Sequence, residues 1–267
     1  MARANRYFIP GHVWHITHRC HKKEFLLKFS RDRERWLSWL YEAKKRFGLR
    51  ILNYMVTSNH IHLLVIDSGQ GVIPKSMQLI AGRTAQEYNQ RKGRKGAFWE
   101  DRYHATAIEH GEHFMKCLVY IDLNMVRAGV VKHPSAWKMC GYNEILNPPD
   151  RYTLIDGNGL MKYCGISNEE QLKEEYRQWV EEALGEEESR REASWSESIA
   201  VGSRDFIEAT RADLGLTINE GRVKEKSGQF ALREEVNAYN THFDPKKGPL
   251  RPENSLFWND NAYISGS

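Results

Sequence analysis

What the chain lacks narrows its class first. None of its apolar runs approaches the ~20 residues that a membrane span needs, and Met1 to Pro10 carries Arg3 and Arg6 with no apolar segment behind them. A secreted or membrane-anchored protein is therefore not expected. Cysteine is scarce: Cys20, Cys117, Cys140 and Cys164 stand far apart, with no CxxC pair and no zinc-ligand spacing. That excludes a disulfide scaffold and suits a reducing, cytoplasmic setting. Acidic residues are scarce in one half only. Residues 1–145 hold 24 Lys and Arg against 12 Asp and Glu, so the net charge of +4 divides into +12 there and −8 beyond. A basic half-chain suits a polyanion, nucleic acid above all, although a solvated Lys/Arg-rich surface gives the same count. The 267 residues, 40% hydrophobic and 28% charged, are those of a soluble globular protein with one good core and room for a small second domain.

Against that background stands Asn59-His60-Ile61-His62-Leu63-Leu64-Val65. As a strand, its period of two sends His60 and His62 to one face and Ile61, Leu63 and Val65 to the other. Paired imidazoles on a rigid strand suit a divalent metal; a hydrogen-bonded structural pair has the same pattern. The segment reads as the return arm of a hairpin, Leu49–Val56 being the first arm and Thr57-Ser58-Asn59 the turn. Val13 to Arg19 alternates as another strand, and His15 would neighbour the pair if the two strands lie side by side. Between them, Ser30 reads as the N-cap of a helix running to Phe47 and stopped by Gly48, with Trp36, Leu40, Ala43 and Phe47 on the core stripe.

Pro74 reads as the first-turn proline of a second helix carrying Met77, Ile80, Ala81, Thr84 and Tyr88. The basic, glycine-interrupted Arg91-Lys92-Gly93-Arg94-Lys95-Gly96 follows, then Phe98, Trp99, Arg102 and Tyr103. Phosphate contact by the loop and base stacking on Trp99 or Tyr103 is one reading; a surface loop before core aromatics is the other. Tyr103–Glu109 reads as a strand. A helix from His113 to Arg127, ended by Gly129, puts Phe114, Leu118, Ile121 and Met125 on its core stripe and Cys117, Tyr120, Asn124 and Arg127 off it. There Tyr120 and Asn124 would present a phenol and a ligand group together, or form a plain surface.

The joint order of Trp14-His15-Ile16-Thr17-His18-Arg19, Asn59–Leu64, Gly96–Tyr103 and Tyr120–Gly129 resembles the single-tyrosine HUH transposases of bacterial insertion sequences, closest to the REP-associated tyrosine transposases. The resemblance covers about residues 1–145. It implies an α+β sandwich: a ferredoxin-like antiparallel sheet with helices packed on it, the histidines on a central strand and the tyrosine on a helix against the sheet. It also implies His60, His62 and Asn124 as ligands of Mg²⁺ or Mn²⁺ and Tyr120 as nucleophile. The activity implied is a DNA transposase-like endonuclease and strand transferase, acting on single-stranded or hairpin DNA of palindromic repeats through a 5′-phosphotyrosine. Met125 and Ser58 stand where the family commonly has proline, and the first of these departures bears on how the tyrosine helix ends or kinks.

Arg3, Arg6, Arg19, Arg91, Lys92, Arg94, Lys95 and Arg102 are the expected phosphate contacts, with Trp99 and Tyr103 as stacking platforms. Lys116 or Arg127 would activate the phenol. Beyond Asn147-Pro148-Pro149 the chain turns acidic. A mostly helical extension is expected over 146–220, with helices at Glu169–Leu184 and Arg204–Leu214, Ser203 as a cap and a solvated Glu186–Glu188 run, followed by a loosely ordered tail over 221–267. The protein is expected in the cytoplasm at the nucleoid, as a monomer or as a homodimer exchanging tyrosine helices. A non-cleaving hairpin-DNA-binding regulator is the alternative. A small-molecule metallohydrolase is disfavoured, because Leu64 and Val65 stand where such sites want a further histidine or aspartate.

Overall fold

Alternating, β-branched segments make the sheet. In the computed structural model, which describes residues 8–185, 192–215, 221–226 and 229–234, β1 (Val13–Arg19), β2 (Arg50–Val56), β3 (His60–Ile66) and β4 (His104–Ile108) run antiparallel in the order β2-β3-β1-β4. That is the ferredoxin-like arrangement, with β3 and β1 central. Register places Thr17 opposite His62 and Arg19 opposite His60, so the histidines lie where β3 leaves the turn.

The two faces of β3 are covered by different helices, as its alternation requires. Ile61, Leu63 and Val65 share a core with Trp36 and Leu40 of α1 (Ser30–Phe47) and Ile73, Met77 and Ile80 of α2 (Val72–Lys92). Leu64 and Ile66 pack with Phe114, Leu118 and Ile121 of α3 (Glu112–Asp122). Two helix starts differ from expectation. Ser30 is already helical and Phe29 is the cap, its carbonyl accepting from Asp32 and Arg33 N–H; α2 begins two residues before Pro74, at Val72. Gly48 ends α1 in the left-handed region, φ 70°, that favours glycine.

The tyrosine helix is not continuous to Arg127. It breaks at Leu123, φ −75° and ψ 2°, and resumes as α4 (Asn124–Arg127), so Tyr120 and Asn124 sit on either side of the break although no proline is present. Nor is the Tyr120 face open. Tyr120 is 8% exposed and Cys117 is fully buried, because the chain beyond residue 145 folds back over them. After α5 (Gly141–Leu146), that extension supplies α6 (Gly157–Cys164), α7 (Glu169–Gly185), α8 (Ser194–Glu197) and α9 (Arg204–Asp213). Ser203 caps α9 by accepting from the Phe206 N–H at 3.2 Å. It also supplies three strands that the helical expectation did not include. β5 (Ala200–Gly202) pairs parallel with β4, and β7 (Gln229–Glu234) joins β5 to β6 (Gly221–Lys226), making a mixed seven-stranded sheet. The start of the presumed loose tail is thus strand; its remainder and Glu186–Glu188 lie outside the described residues.

Under the tyrosine helix lies a buried polar cluster. Asp122 accepts from Asn53 Nδ2 at 3.1 Å and from the Tyr176 hydroxyl of α7, tying α3 to β2 and to the extension at once. Burial pushes the Asp122 carboxyl up to about 7, against the opposing hydrogen bonds from Tyr176 and Asn53. The folded value lies above the ordinary one, so the stability this group contributes is fully present below pH ~4 and is lost as pH rises to about 7, a difference of up to ~4 kcal/mol. Asp122→Asn, which can still accept from Asn53 and can donate its amide to the Tyr176 oxygen, is expected to melt with a weaker fall in Tm between pH 5 and 8 than the parent. Equal pH slopes in differential scanning calorimetry would refute this.

Candidate active site

The elements meet in a cleft of about 460 Å³ lined by His60 and His62 of β3, Tyr120 of α3, Asn124 and Arg127 of α4, Arg19 of β1, Arg102, and Ser196 and Glu197 of α8. The four residues of the expected catalytic set are thus brought together, all within one chain. The His62 ring lies 5.0 Å from that of His60 and 6.1 Å from that of Tyr120, centroid to centroid. Asn124 Nδ2 is 2.9 Å from His62 Nε2. Arg127 spans the tyrosine: its guanidinium stands 4.2 Å from the ring centroid and donates to the Tyr120 carbonyl at 2.6 Å. Lys116, the other candidate cation, pairs with Glu112 at 2.7 Å instead.

Hydrogen bonds orient both imidazoles. His60 Nδ1 meets Asn59 Oδ1 at 2.7 Å and Thr57 Oγ1 at 2.9 Å, acceptors that place its proton on Nδ1 and its lone pair on Nε2. His62 Nδ1 meets His15 Nε2 at 2.9 Å, and His15 Nδ1 meets the Trp195 carbonyl at 2.7 Å. Burial holds both rings neutral: His15 is lowered to about 4, and His62 falls well below its ordinary range, helped by His60 and His15 nearby. Neutral imidazoles with aimed lone pairs are what a divalent cation needs. Among the described residues no three His, Cys, Asp or Glu side chains cluster to hold a metal. Two imidazoles with the Asn124 amide oxygen, reached by turning the amide about its Cβ–Cγ bond, could serve as a mixed donor set. Mn²⁺ accepts such mixed nitrogen and oxygen donors more readily than Mg²⁺.

The expected DNA-contact residues divide. Arg19 and Arg102 line the cleft, and Lys92 and Lys95 are exposed. Arg91 is held by Asp32 of α1, and Arg94 by Asn89, the Ala97 carbonyl at 2.8 Å and Glu24 at 3.4 Å. Both arginines are thus tied to neighbouring side chains at the end of α2, and Arg91 is still exposed. Trp99 is stacked at 4.1 Å on His18, which donates to the Asp101 carbonyl, and Trp99 Nε1 donates to the Ala81 carbonyl at 3.0 Å. One face of that indole is already covered. Tyr103 is half-buried, and Arg3 and Arg6 lie outside the described residues.

A second aromatic and basic surface escaped the sequence reading. Phe25 is 65% and Phe29 57% exposed, among exposed Lys22, Lys23 and Lys28, with Lys92 Nζ 5.4 Å from the Phe29 ring. Lys22 and Lys23 take positive φ, 52° and 60°, a strained pairing for non-glycine residues. The loop is pinned beside the turn that precedes His60, where Asn59 Nδ2 donates to the Lys23 carbonyl at 3.1 Å and the Leu27 N–H to the Ser58 carbonyl at 2.9 Å. The interleaving of Lys and Phe from His21 to Phe29 was its signal, the same pattern that drew attention to Arg91–Tyr103.

The ferredoxin-like sheet carries a His-x-His pair on β3 opposite a tyrosine on α3. Residues 9–124 match the family described as "Transposase IS200 like", so the likeness to that family lies in this part of the chain. No curated protein matches the chain. The solved structure of a REP-associated tyrosine transposase bound to a REP hairpin is 20% identical, with TM-score 0.47, over 55% of this chain and 87% of that one. A protein of Deinococcus radiodurans R1, described as a candidate transposase, is 18% identical with TM-score 0.33, over 43% of this chain and 90% of that one. Among the described residues no helix is long and apolar enough to cross a membrane.

Proposed function

We propose that this protein is a single-tyrosine DNA strand transferase that cuts and rejoins one strand of single-stranded or hairpin DNA. The observation that carries the reading is the convergence of Tyr120, His60, His62 and Asn124 in one cleft, with Arg127 over the tyrosine. Tyr120 Oη attacks the scissile phosphorus. The P–O3′ bond breaks, the 3′-oxygen leaves and takes up a proton, the phenol loses its own proton, and a 5′-phosphotyrosine conserves the bond for rejoining. His60, His62 and Asn124 would hold a divalent cation, Mg²⁺ or Mn²⁺, which supplies Lewis-acid polarisation of the phosphate. Arg127 favours the charge that develops on the phenol, and Arg19 and Arg102 at the cleft wall meet the flanking phosphates. Tyr120 faces the histidines of its own chain, so the reading needs no exchanged helix.

The test is to incubate end-labelled hairpin DNA carrying unpaired flanks with the protein and Mn²⁺, then run a denaturing gel. A labelled covalent protein band that EDTA prevents is expected. Retained hairpin binding with no such band under any divalent metal would leave the chain a binding regulator and end the nuclease reading. The exposed phenylalanines fit the unpaired flanks: base stacking on an aromatic contributes about 1–3 kcal/mol per base. Phe25→Ala with Phe29→Ala is therefore expected to weaken binding of flanked hairpins by roughly tenfold or more and to leave blunt hairpins nearly unchanged. Equal losses on both substrates, measured by fluorescence anisotropy, would count against this placement.

A further inference from the structure

We infer that the extension beyond the matched domain is a working part of the catalytic centre: the backbone carbonyl of Trp195 fixes, through His15, which nitrogen of His62 faces the cleft. The inference rests on the proposed role of His62 as a cation ligand. A carbonyl only accepts, so the 2.7 Å contact with Trp195 places a proton on His15 Nδ1. His15 is fully buried, and in the neutral ring its Nε2 is then an acceptor. The 2.9 Å contact with that atom places the single ring proton of His62 on Nδ1. His62 Nε2 is left with a lone pair aimed into the cleft, and the 2.9 Å approach of Asn124 Nδ2, a donor, marks the same atom as an acceptor. An imidazole without such a chain distributes its proton over both nitrogens, and the form protonated at Nε2 cannot ligate there.

The chain is only as firm as the carbonyl at its end, and that carbonyl is anchored on both sides. The Trp195 indole is 1% exposed in the core, its ring 6.2 Å from that of Tyr120. Three residues on, the Ser198 carbonyl accepts from Thr106 Oγ1 at 2.6 Å and from His104 Nε2 at 2.9 Å, both on β4, and β5 then pairs with β4. The family match ends at residue 124, so His60, His62 and Asn124 all lie within the matched stretch, while the carbonyl that orients His62 stands about seventy positions beyond it. His15 and Trp195 are positioning residues here; neither need touch DNA.

The test uses the full chain and reads the imidazole ¹⁵N shifts of His62 without metal, alongside Mn²⁺ affinity by calorimetry. The parent should show His62 protonated at Nδ1. His15→Leu should mix the two tautomers and lower Mn²⁺ affinity by about 10–100-fold. His15→Gln, whose amide can donate to Trp195 and accept from His62, should restore both readouts. Trp195→Ala, which removes one of the carbonyl's two anchors, should shift both readouts in the same direction as His15→Leu, with amide spectra confirming that each variant is folded. A His62 tautomer unchanged in His15→Leu, or wild-type values of both readouts in Trp195→Ala, would overturn the inference. Tautomer shifts that follow the variants while the parent binds no Mn²⁺ would support the relay and defeat the cation reading instead.

Discussion

Tyr120→Phe is expected to abolish covalent capture of hairpin DNA, a loss of ~10³-fold or more of the kind that follows removal of a nucleophile, while hairpin affinity changes by less than about twofold. The substitution deletes one oxygen and nothing else. The ring stays packed in a helix face that is already closed, with Tyr120 only 8% exposed. The Arg127 bond is made to the Tyr120 backbone carbonyl, so the guanidinium stays over the ring. The alternative nucleophiles are poorly placed: Tyr176 is buried and spent on Asp122, and Tyr103 lies beside His18. A denaturing gel comparing parent and variant decides it. A covalent band of undiminished intensity in Tyr120→Phe would move the nucleophile elsewhere, and a parallel loss of binding would mean that the hydroxyl was positioning DNA rather than attacking it.

The parts of this site legible in the sequence are those fixed by local periodicity. The strand period put His60 and His62 on one face, and the turn at Thr57–Asn59 put them at the end of β3; the register of β1 against β3 then made His15 a neighbour, as the sequence allowed. Helical spacing likewise put Tyr120 with Asn124 and Arg127, and they do share the cleft. What was not legible came from partners distant in the chain. The face of α3 that holds Tyr120 and Cys117 looked open because the residues covering it come from the extension, Trp195 among them. The buried tie of Asp122 to Tyr176 spans 54 residues and that of His15 to Trp195 spans 180, with nothing local to announce either. The ion pairs of Arg91 and Arg94 were hidden from the sequence for the same reason. Their carboxylate partners, Asp32 and Glu24, lie some sixty to seventy residues earlier.

His60→Ala separates cation binding from DNA binding more cleanly than any change at His62. His62 is buried between His15, Asn124 and Tyr120, so its loss leaves a cavity and an acceptor on His15 without its donor, and destabilisation confuses the readout. His60 is only half-buried. The ring bonds that are resolved go to Asn59 and Thr57 of its own turn, and Thr57 Oγ1 retains its bond to the His60 carbonyl at 2.8 Å after truncation. The core residues of β3, Ile61, Leu63 and Val65, face the other way. His60→Ala is therefore expected to fold with a Tm within a few degrees of the parent and to bind flanked hairpins normally. It should lose Mn²⁺-dependent cleavage by roughly 100-fold or more, because one of the three proposed ligands would be gone. Raising Mn²⁺ should recover part of that loss, since the two remaining ligands still form a weak site. Cleavage at parental rates in low Mn²⁺ would remove His60 from the cation site, and a loss that no Mn²⁺ concentration relieves would assign the imidazole to the DNA instead.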